Sequence, residues 1–202
     1  MTQLFIGTYI KVFFLLTPFF VISTFLSMTS GMDVRRREKI AVRTALAAAA
    51  CTLGVYLVGN QIFKLFGITL DAFRVGAGTL LFLSAVSLVS GRAASFTVSD
   101  DEDISVVPLA VPITVGPGTT GALLVLGSDV SQSYGGELWA HVTTLVALLA
   151  AGLSVGVMLY VAARADRFLR PMVMSVLTKL TGLVVASIAA QLVFTGVRNF
   201  MR

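Results

Sequence analysis

Charged side chains are scarce in this chain of 202 residues. Lysine, arginine, aspartate and glutamate together make up 12% of the sequence, whereas hydrophobic residues make up 56%. Soluble domains carry roughly 25% charged residues, so this composition excludes a soluble globular protein. The net charge of +5 does not indicate a nucleic-acid partner, because the basic residues cluster at the ends of apolar runs.

Cysteine and histidine are equally scarce, with one of each, Cys51 and His141. A single cysteine excludes an internal disulfide framework, and one cysteine with one histidine cannot build a metal cluster. The apolar runs contain no acidic residue, so they offer no nucleophile–base pair or metal triad at membrane depth. We therefore expect no enzyme, no catalytic residue, no metal and no cofactor.

Six uncharged runs dominate what is present. They cover residues 12–32, 44–63, 75–91, 104–128, 142–163 and 180–197. A membrane-spanning helix needs about 17–25 residues, and each run is close to that length. The runs predict an all-α polytopic protein with six transmembrane helices, forming a single membrane domain over 1–202 in contact with the lipid bilayer.

The positions of lysine and arginine predict the orientation of these spans. Short loops rich in Lys and Arg stay on the cytoplasmic side. Ten basic residues fall on one side of a six-span protein and four on the other. The ten are Arg35, Arg36, Arg37, Lys39, Arg43, Arg92, Arg164, Arg167, Arg170 and Lys179, and the four are Lys64, Arg74, Arg198 and Arg202. We expect a multi-pass membrane protein with both termini outside.

Two of the runs contain helix breakers. Gly116-Pro117-Gly118 interrupts the run 104–128, and Thr17-Pro18 is central to the run 12–32. Proline removes a backbone N–H and clashes with the preceding turn. At membrane depth, non-helical backbone survives only when it is buried in protein or lines a wet cavity. The sequence therefore predicts that the first and fourth helices are broken and that the breaks form a binding site.

The two breaks hold corresponding positions in two halves of the chain. An acidic linker at about 96–103 separates repeat one, at about 1–95, from repeat two, at about 104–202. Each half has three spans, an odd number, so two homologous halves must enter the membrane in opposite orientation. Interrupted segments in corresponding positions of inverted halves indicate the midplane site of a secondary transporter.

The candidate substrate-binding residues gather around the breaks. They are Thr17, Pro18, Gly116, Pro117, Gly118, Thr119, Thr120 and Gln191. Half-helix N-termini suit an anionic group, and unwound carbonyls suit an ammonium group, so a small zwitterion satisfies both. Other readings stay open: the prolines as plain kinks, the threonines as partners of freed carbonyls, and Gln191 as a tie between helices. Lys11, near the outer end of span one, is explained by snorkelling to the interface.

Residues 103–119, DISVVPLAVPITVGPGT, carry a family likeness. The segment resembles the start of the second repeat in the MarC family of bacterial inner-membrane proteins, which includes small neutral amino acid transporters of the SnatA type. Residues 66–78 look like the third span of that family and 181–196 like its sixth, so the resemblance covers nearly the whole chain. It implies an inverted repeat of six spans, both termini in the periplasm, and a site between the broken first and fourth spans.

One departure from the family pattern affects the first break. The family usually has Asn-Pro-x-Gly there, whereas this chain has Thr17-Pro18-Phe19-Phe20. Threonine lacks the donor–acceptor pair of an amide, and Phe20 in place of glycine would narrow the cavity or stop close backbone approach. We therefore expect a secondary transporter of a small neutral solute such as a small amino acid, with a non-transporting membrane scaffold or assembly partner as the alternative. The substrate, the coupling ion, the transport direction and the oligomeric state are not predicted.

Overall fold

The computed structural model describes residues 1–91, 104–165 and 171–201, so the predicted acidic linker lies outside the described residues. The described chain is helical, with seven α-helices and one π-helical segment. In chain order these are α1 Thr2–Leu15, α2 Pro18–Met28, α3 Val34–Phe66, α4 Leu70–Ser90, the π segment Ser105–Thr114, α5 Pro117–Ser133, α6 Leu138–Arg164 and α7 Pro171–Phe200.

The predicted six spans are confirmed by helix length and composition. Five stretches are long and apolar enough to cross a membrane, and α1 with α2 forms the first of them. The sixth is the π segment followed by α5, which are bent by 66° at the second break. Spans one to three are thus α1–α2, α3 and α4, and spans four to six are π–α5, α6 and α7.

The helices extend beyond the uncharged runs that predicted them. Span one begins at Thr2 rather than at residue 12, and α7 begins at Pro171 rather than at residue 180. An uncharged run stops at Lys11 and at Lys179 by definition, yet both residues lie inside helices. A long basic side chain does not end a membrane helix, because its charged tip can reach polar surroundings.

Two antiparallel helix pairs frame the fold. In the α3–α6 pair, Ala45 faces Gly156 and Ala49 faces Gly152, and Tyr56 Oη lies 2.8 Å from Nδ1 of His141. In the α4–α7 pair, Gly196 packs against the backbone carbonyl of Asp71. Small residues at these contacts permit the close approach that van der Waals packing in membranes requires.

The α4–α7 contact shows an internal two-fold relation. A Cβ added at Gly78 would meet Ala189, Leu192 and Val193, and one added at Gly182 would meet the equivalent set Ala85, Leu88 and Val89. The two glycines are 104 positions apart, and so are the two alanines, the two leucines and the two valines. The glycine of α4 thus packs on α7 through the same residue types by which the glycine of α7 packs on α4. Because the two helices are antiparallel, this relation confirms two inverted halves.

The two broken spans lie between the helix pairs and cross from one half to the other. Span one packs mainly on α6 and α7 of the second half, and span four packs mainly on α3 and α4 of the first. The halves are consequently interlocked. Because each broken span is held by the opposite repeat, this packing does not suit a motion in which one repeat rocks as a unit against the other.

Candidate functional site

The first break lies between α1 and α2. Thr17 has φ 46° and ψ 55°, a left-handed conformation, and Pro18 starts α2. The Thr17 N–H donates to the Phe14 carbonyl at 3.0 Å, and its own carbonyl accepts from Val21 N–H at 3.1 Å. The Thr17 side chain makes no capping hydrogen bond, so the first N–H groups of α2 have no capping side chain.

The second break is longer and is prepared by two further prolines. Pro108 and Pro112 lie inside the π segment, and the backbone before each of them, at Val107 and Val111, is extended. Residues before proline are pushed toward extended conformations, which accounts for this irregular course. Gly116 then continues in an extended conformation, and Pro117 occupies the first turn of α5, where its missing N–H is harmless.

A hydrogen bond joins the two breaks. The Thr119 hydroxyl, in the first turn of α5, donates to the carbonyl oxygen of Leu15 at 3.0 Å. Thr119 is 7% exposed and Leu15 is 2% exposed, so both partners of this bond are buried. It ties the start of α5 to the end of α1 and satisfies a carbonyl that the first break leaves free.

A cavity of about 320 Å³ lies where the breaks meet. Both broken spans, α4 and Val185 of α7 contribute to its wall, and none of the side chains lining it is charged. Five of the eight predicted site residues line it: Thr17, Gly116, Pro117, Gly118 and Thr119. Pro18 and Thr120 are adjacent in sequence but do not line it, and Gln191 lines a different cavity.

Sequence reasoning missed the contribution of α4 to this cavity. Ser84 and Ser87 bring hydroxyl groups, and Leu81 and Leu88 bring apolar surface. The two serines lie three residues apart, which places them on one helix face. The spacing indicates a polar face on α4, but only the tertiary packing shows that this face borders the breaks.

The chemistry of the cavity suits a small uncharged or zwitterionic solute. Neither Gly118 nor Thr119 donates its backbone N–H to a carbonyl of the described chain, so these groups form the positive end of α5. The Thr17 hydroxyl adds a donor and an acceptor. The hydroxyl oxygens of Ser84 and Ser87, whose protons are donated to carbonyls of α4, add acceptors. The ring of Phe20 forms part of the wall, as the departure from the Asn-Pro-x-Gly pattern predicted.

Gly118 also has a packing function. A Cβ at this position would lie 2.7 Å from the Cα of Leu81, closer than real Cβ atoms approach backbone. The glycine therefore lets α5 cross α4 at short range. A larger residue at 118 would disturb the contact between α5 and α4, so its effect on transport would not report solute binding alone.

Six spans in two interlocked inverted halves, with an uncharged cavity between two broken spans, define a polytopic integral membrane protein of the inverted-repeat class. The sequence model described as "MarC family integral membrane protein" matches residues 2–201. The chain belongs to the MarC family, as its sequence predicted.

Relatives of similar length occur in archaea and bacteria. The chain is 30% identical to the UPF0056 membrane protein MJ1677 of Methanocaldococcus jannaschii, with 98% of this chain and 97% of the relative covered. It is 29% identical to the UPF0056 membrane protein YhcE of Escherichia coli, with 95% and 90% covered. It is 27% identical to the UPF0056 membrane protein YvbG of Bacillus subtilis, with 96% and 94% covered. No solved structure matches the chain significantly.

Proposed function

We propose that this protein is a secondary transporter of a small neutral solute, such as a small amino acid. The observation that carries the proposal is the cavity of about 320 Å³ at the junction of both breaks. Broken helices at the interface of inverted repeats are the usual site of secondary transporters. The uncharged wall favours a solute whose own charges, if any, are met by backbone groups and hydroxyls.

The binding mode follows from the ends of the half-helices. A solute carboxylate would accept hydrogen bonds from the N–H groups of Gly118 and Thr119 at the positive end of α5. An ammonium group would face carbonyl oxygens at the end of α1, where Leu15 and Thr17 line the cavity. The hydroxyls of Ser84 and Ser87 would orient the solute between these two ends.

Alternating access would use the helix pairs as its moving parts. The α4–α7 pair is tightly packed through Gly78 and Gly182, so it would move as one body. The α3–α6 pair would form the second body, with the broken spans hinging between the two. The lysine and arginine distribution favours an orientation with both termini outside. Relatives such as YhcE of Escherichia coli favour a bacterial cytoplasmic membrane.

Counterflow in proteoliposomes tests the proposal. The purified protein is reconstituted, and exchange of labelled glycine, alanine and serine is measured. Ser87→Leu fills the cavity from an exposed position of α4 and should reduce exchange at least about tenfold. Ser187→Leu is the matched control, because the Ser187 hydroxyl also bonds its own helix and Ser187 lines none of the cavities described here.

A second candidate function is a non-transporting membrane scaffold or assembly partner. Phe20 favours it, because its ring occupies part of the cavity wall where the family pattern has glycine. Absence of exchange with all three solutes, in a protein that is monodisperse and folded, would support this alternative. Exchange that appears only in Phe20→Gly would assign the loss of transport to that ring.

A further inference from the structure

A second cavity lies on the side of the molecule that holds both termini, here called the terminal side. It measures about 170 Å³ and is bounded by α1, α5, α7 and one residue of α4. Its polar lining consists of Lys11, Arg74, Asp129, Gln191 and Thr195. A wider groove of about 310 Å³ shares Lys11 and Asp129 with it and continues past Gln3 and Ser133. The two spaces are therefore neighbours on the terminal side.

This cavity is deep enough for its charges to matter. Lys11 is nine residues from the start of α1 at Thr2, and Gln191 is nine residues from the end of α7 at Phe200. At 1.5 Å per residue, both lie about 14 Å along their helices from the terminal ends. Span one has 27 residues and α7 has 30, more than the ~20 that cross a bilayer core, so a core centred on each helix includes both residues. Ionisable residues within a span are rare and mark solute or ion pathways.

The charged residues at this cavity differ in how they are paired. Arg74 is buried and forms ion pairs with both Asp71 and Asp129, and Asn199 donates to Asp71 at 3.2 Å. Within residues 1–91, 104–165 and 171–201, Lys11 and Gln191 make no hydrogen bond or ion pair. The formal charges of Lys11, Arg74, Asp71 and Asp129 cancel. A bound solute that is itself neutral overall preserves this balance.

The internal two-fold relation connects the second cavity to the first. The central cavity is lined by Leu81, Ser84, Ser87 and Leu88 of α4. The residues 104 positions later in α7 are Val185, Ile188, Gln191 and Leu192, and the last three line the second cavity. Gln191 thus holds in the second half the place that Ser87 holds in the first. Leu15 borders both cavities and separates them.

We propose that the second cavity is a binding site for a small zwitterion on the terminal side, in which Lys11 receives the carboxylate, Asp129 receives the ammonium group and Gln191 donates a further hydrogen bond. The inference rests on the proposed transport function, in which this site would hold the solute between the central cavity and the terminal side. It explains why a lysine and a glutamine without protein partners line the same space. It also gives Gln191, which the central cavity does not include, a specific part in solute recognition.

Thiol protection tests the site directly. Cys51 is the one cysteine of the chain, so Cys51→Ala provides a background in which Thr195→Cys reports the second cavity and Ser87→Cys reports the central one. The purified full chain is alkylated with a small maleimide at constant ionic strength, with glycine, acetate or glycinamide added. Glycine should slow alkylation of Thr195→Cys, whereas acetate and glycinamide, each with one charge, should not.

The variants Lys11→Gln and Gln191→Leu then test the recognition. Loss of a hydrogen bond to a charged group should weaken glycine protection at Thr195→Cys at least about tenfold in Lys11→Gln, and Lys11→Arg should retain it. Gln191→Leu, at an exposed position, should weaken glycine protection as well and serves as the test if Lys11→Gln does not fold. Protection that survives both changes, or that acetate produces alone, overturns the proposal.

Parallel counterflow separates this inference from the transport function. Glycine exchange without protection at Thr195→Cys would reject the second site and leave transport standing. Protection that depends on Lys11 in a protein without exchange would uphold the site and reject transport.

Discussion

The left-handed conformation of Thr17 yields the sharpest prediction of this structure. With φ 46° and ψ 55°, Thr17 is the sole residue other than glycine with positive φ among the described residues. This conformation costs L-residues roughly 1–2 kcal/mol, and asparagine adopts it more readily through local hydrogen bonds. The β-branched side chain of threonine is in addition restricted in its χ1 rotamers. Thr17→Asn should therefore stabilise the fold.

The expected gain is about 1 kcal/mol, the lower part of that range, because asparagine does not remove the strain completely. The threonine hydroxyl makes no capping bond whose loss would offset it, and the neighbouring cavity of about 320 Å³ has room for an amide. For a chain of this length, 1 kcal/mol corresponds to about 2–4 °C in the unfolding midpoint. The midpoint is measured in detergent at one fixed heating rate, since unfolding of membrane proteins is often irreversible.

Two further variants at the same position isolate the cause. Thr17→Gly relieves the backbone strain without adding an amide and should also raise the midpoint. Thr17→Val keeps the branched shape without the hydroxyl and should leave the midpoint nearly unchanged. If neither Thr17→Asn nor Thr17→Gly raises the midpoint, the left-handed backbone at the first break is not a source of instability and the reasoning fails.

Three other substitutions probe contacts that hold the breaks and halves together. Gly78→Ala should destabilise by about 1–3 kcal/mol, because the new Cβ would lie 2.8 Å from Val193; Gly76→Ala, in open space on the same helix, should gain up to about 1 kcal/mol from helix propensity. Thr119→Val should cost about 1 kcal/mol by removing the bond to the end of α1, and exposed Thr79→Val should cost little. Arg74→Ala should cost about 1–3 kcal/mol, because two partly exposed carboxylates lose their charged partner. Thermal midpoints of the purified variants check all three.

Particular outcomes would contradict these expectations. Equal effects of Gly78→Ala and Gly76→Ala would mean that the close α4–α7 approach is wrong. A Thr119→Val protein as stable as Thr79→Val would show that the two breaks are not joined by that hydroxyl. Full stability of Arg74→Ala would show that Asp71 and Asp129 do not depend on the guanidinium.

The breaks could be predicted from sequence because proline and glycine act locally. Pro18 and Pro117 each start a half-helix whatever surrounds them, so the location of both interruptions followed from residue type alone. The six spans followed from hydropathy for the same reason. Their ends did not, because Lys11 and Lys179 lie within helices that continue past them.

The partners of each helix could not be predicted, because all the spans have similar apolar surfaces. The place of Gln191 shows the difficulty, since hydropathy locates it within span six without showing which cavity that face borders. Ser84 and Ser87 were missed because a serine in a span often bonds only its own helix, as both do here. The order in which the helices pack is a tertiary property.

The crossing of the broken spans between halves has a consequence for how the protein is made. During synthesis, α1 and α2 enter the membrane first, yet their main neighbours, α6 and α7, are the last helices to emerge. The arrangement corresponds to a domain-swapped pair joined in one chain, in which each half completes the other. Contacts so distant in sequence close late in folding. A chain truncated before α7 would leave the glycine face of α4 uncovered. We expect cellular quality control to degrade such a chain as incompletely folded.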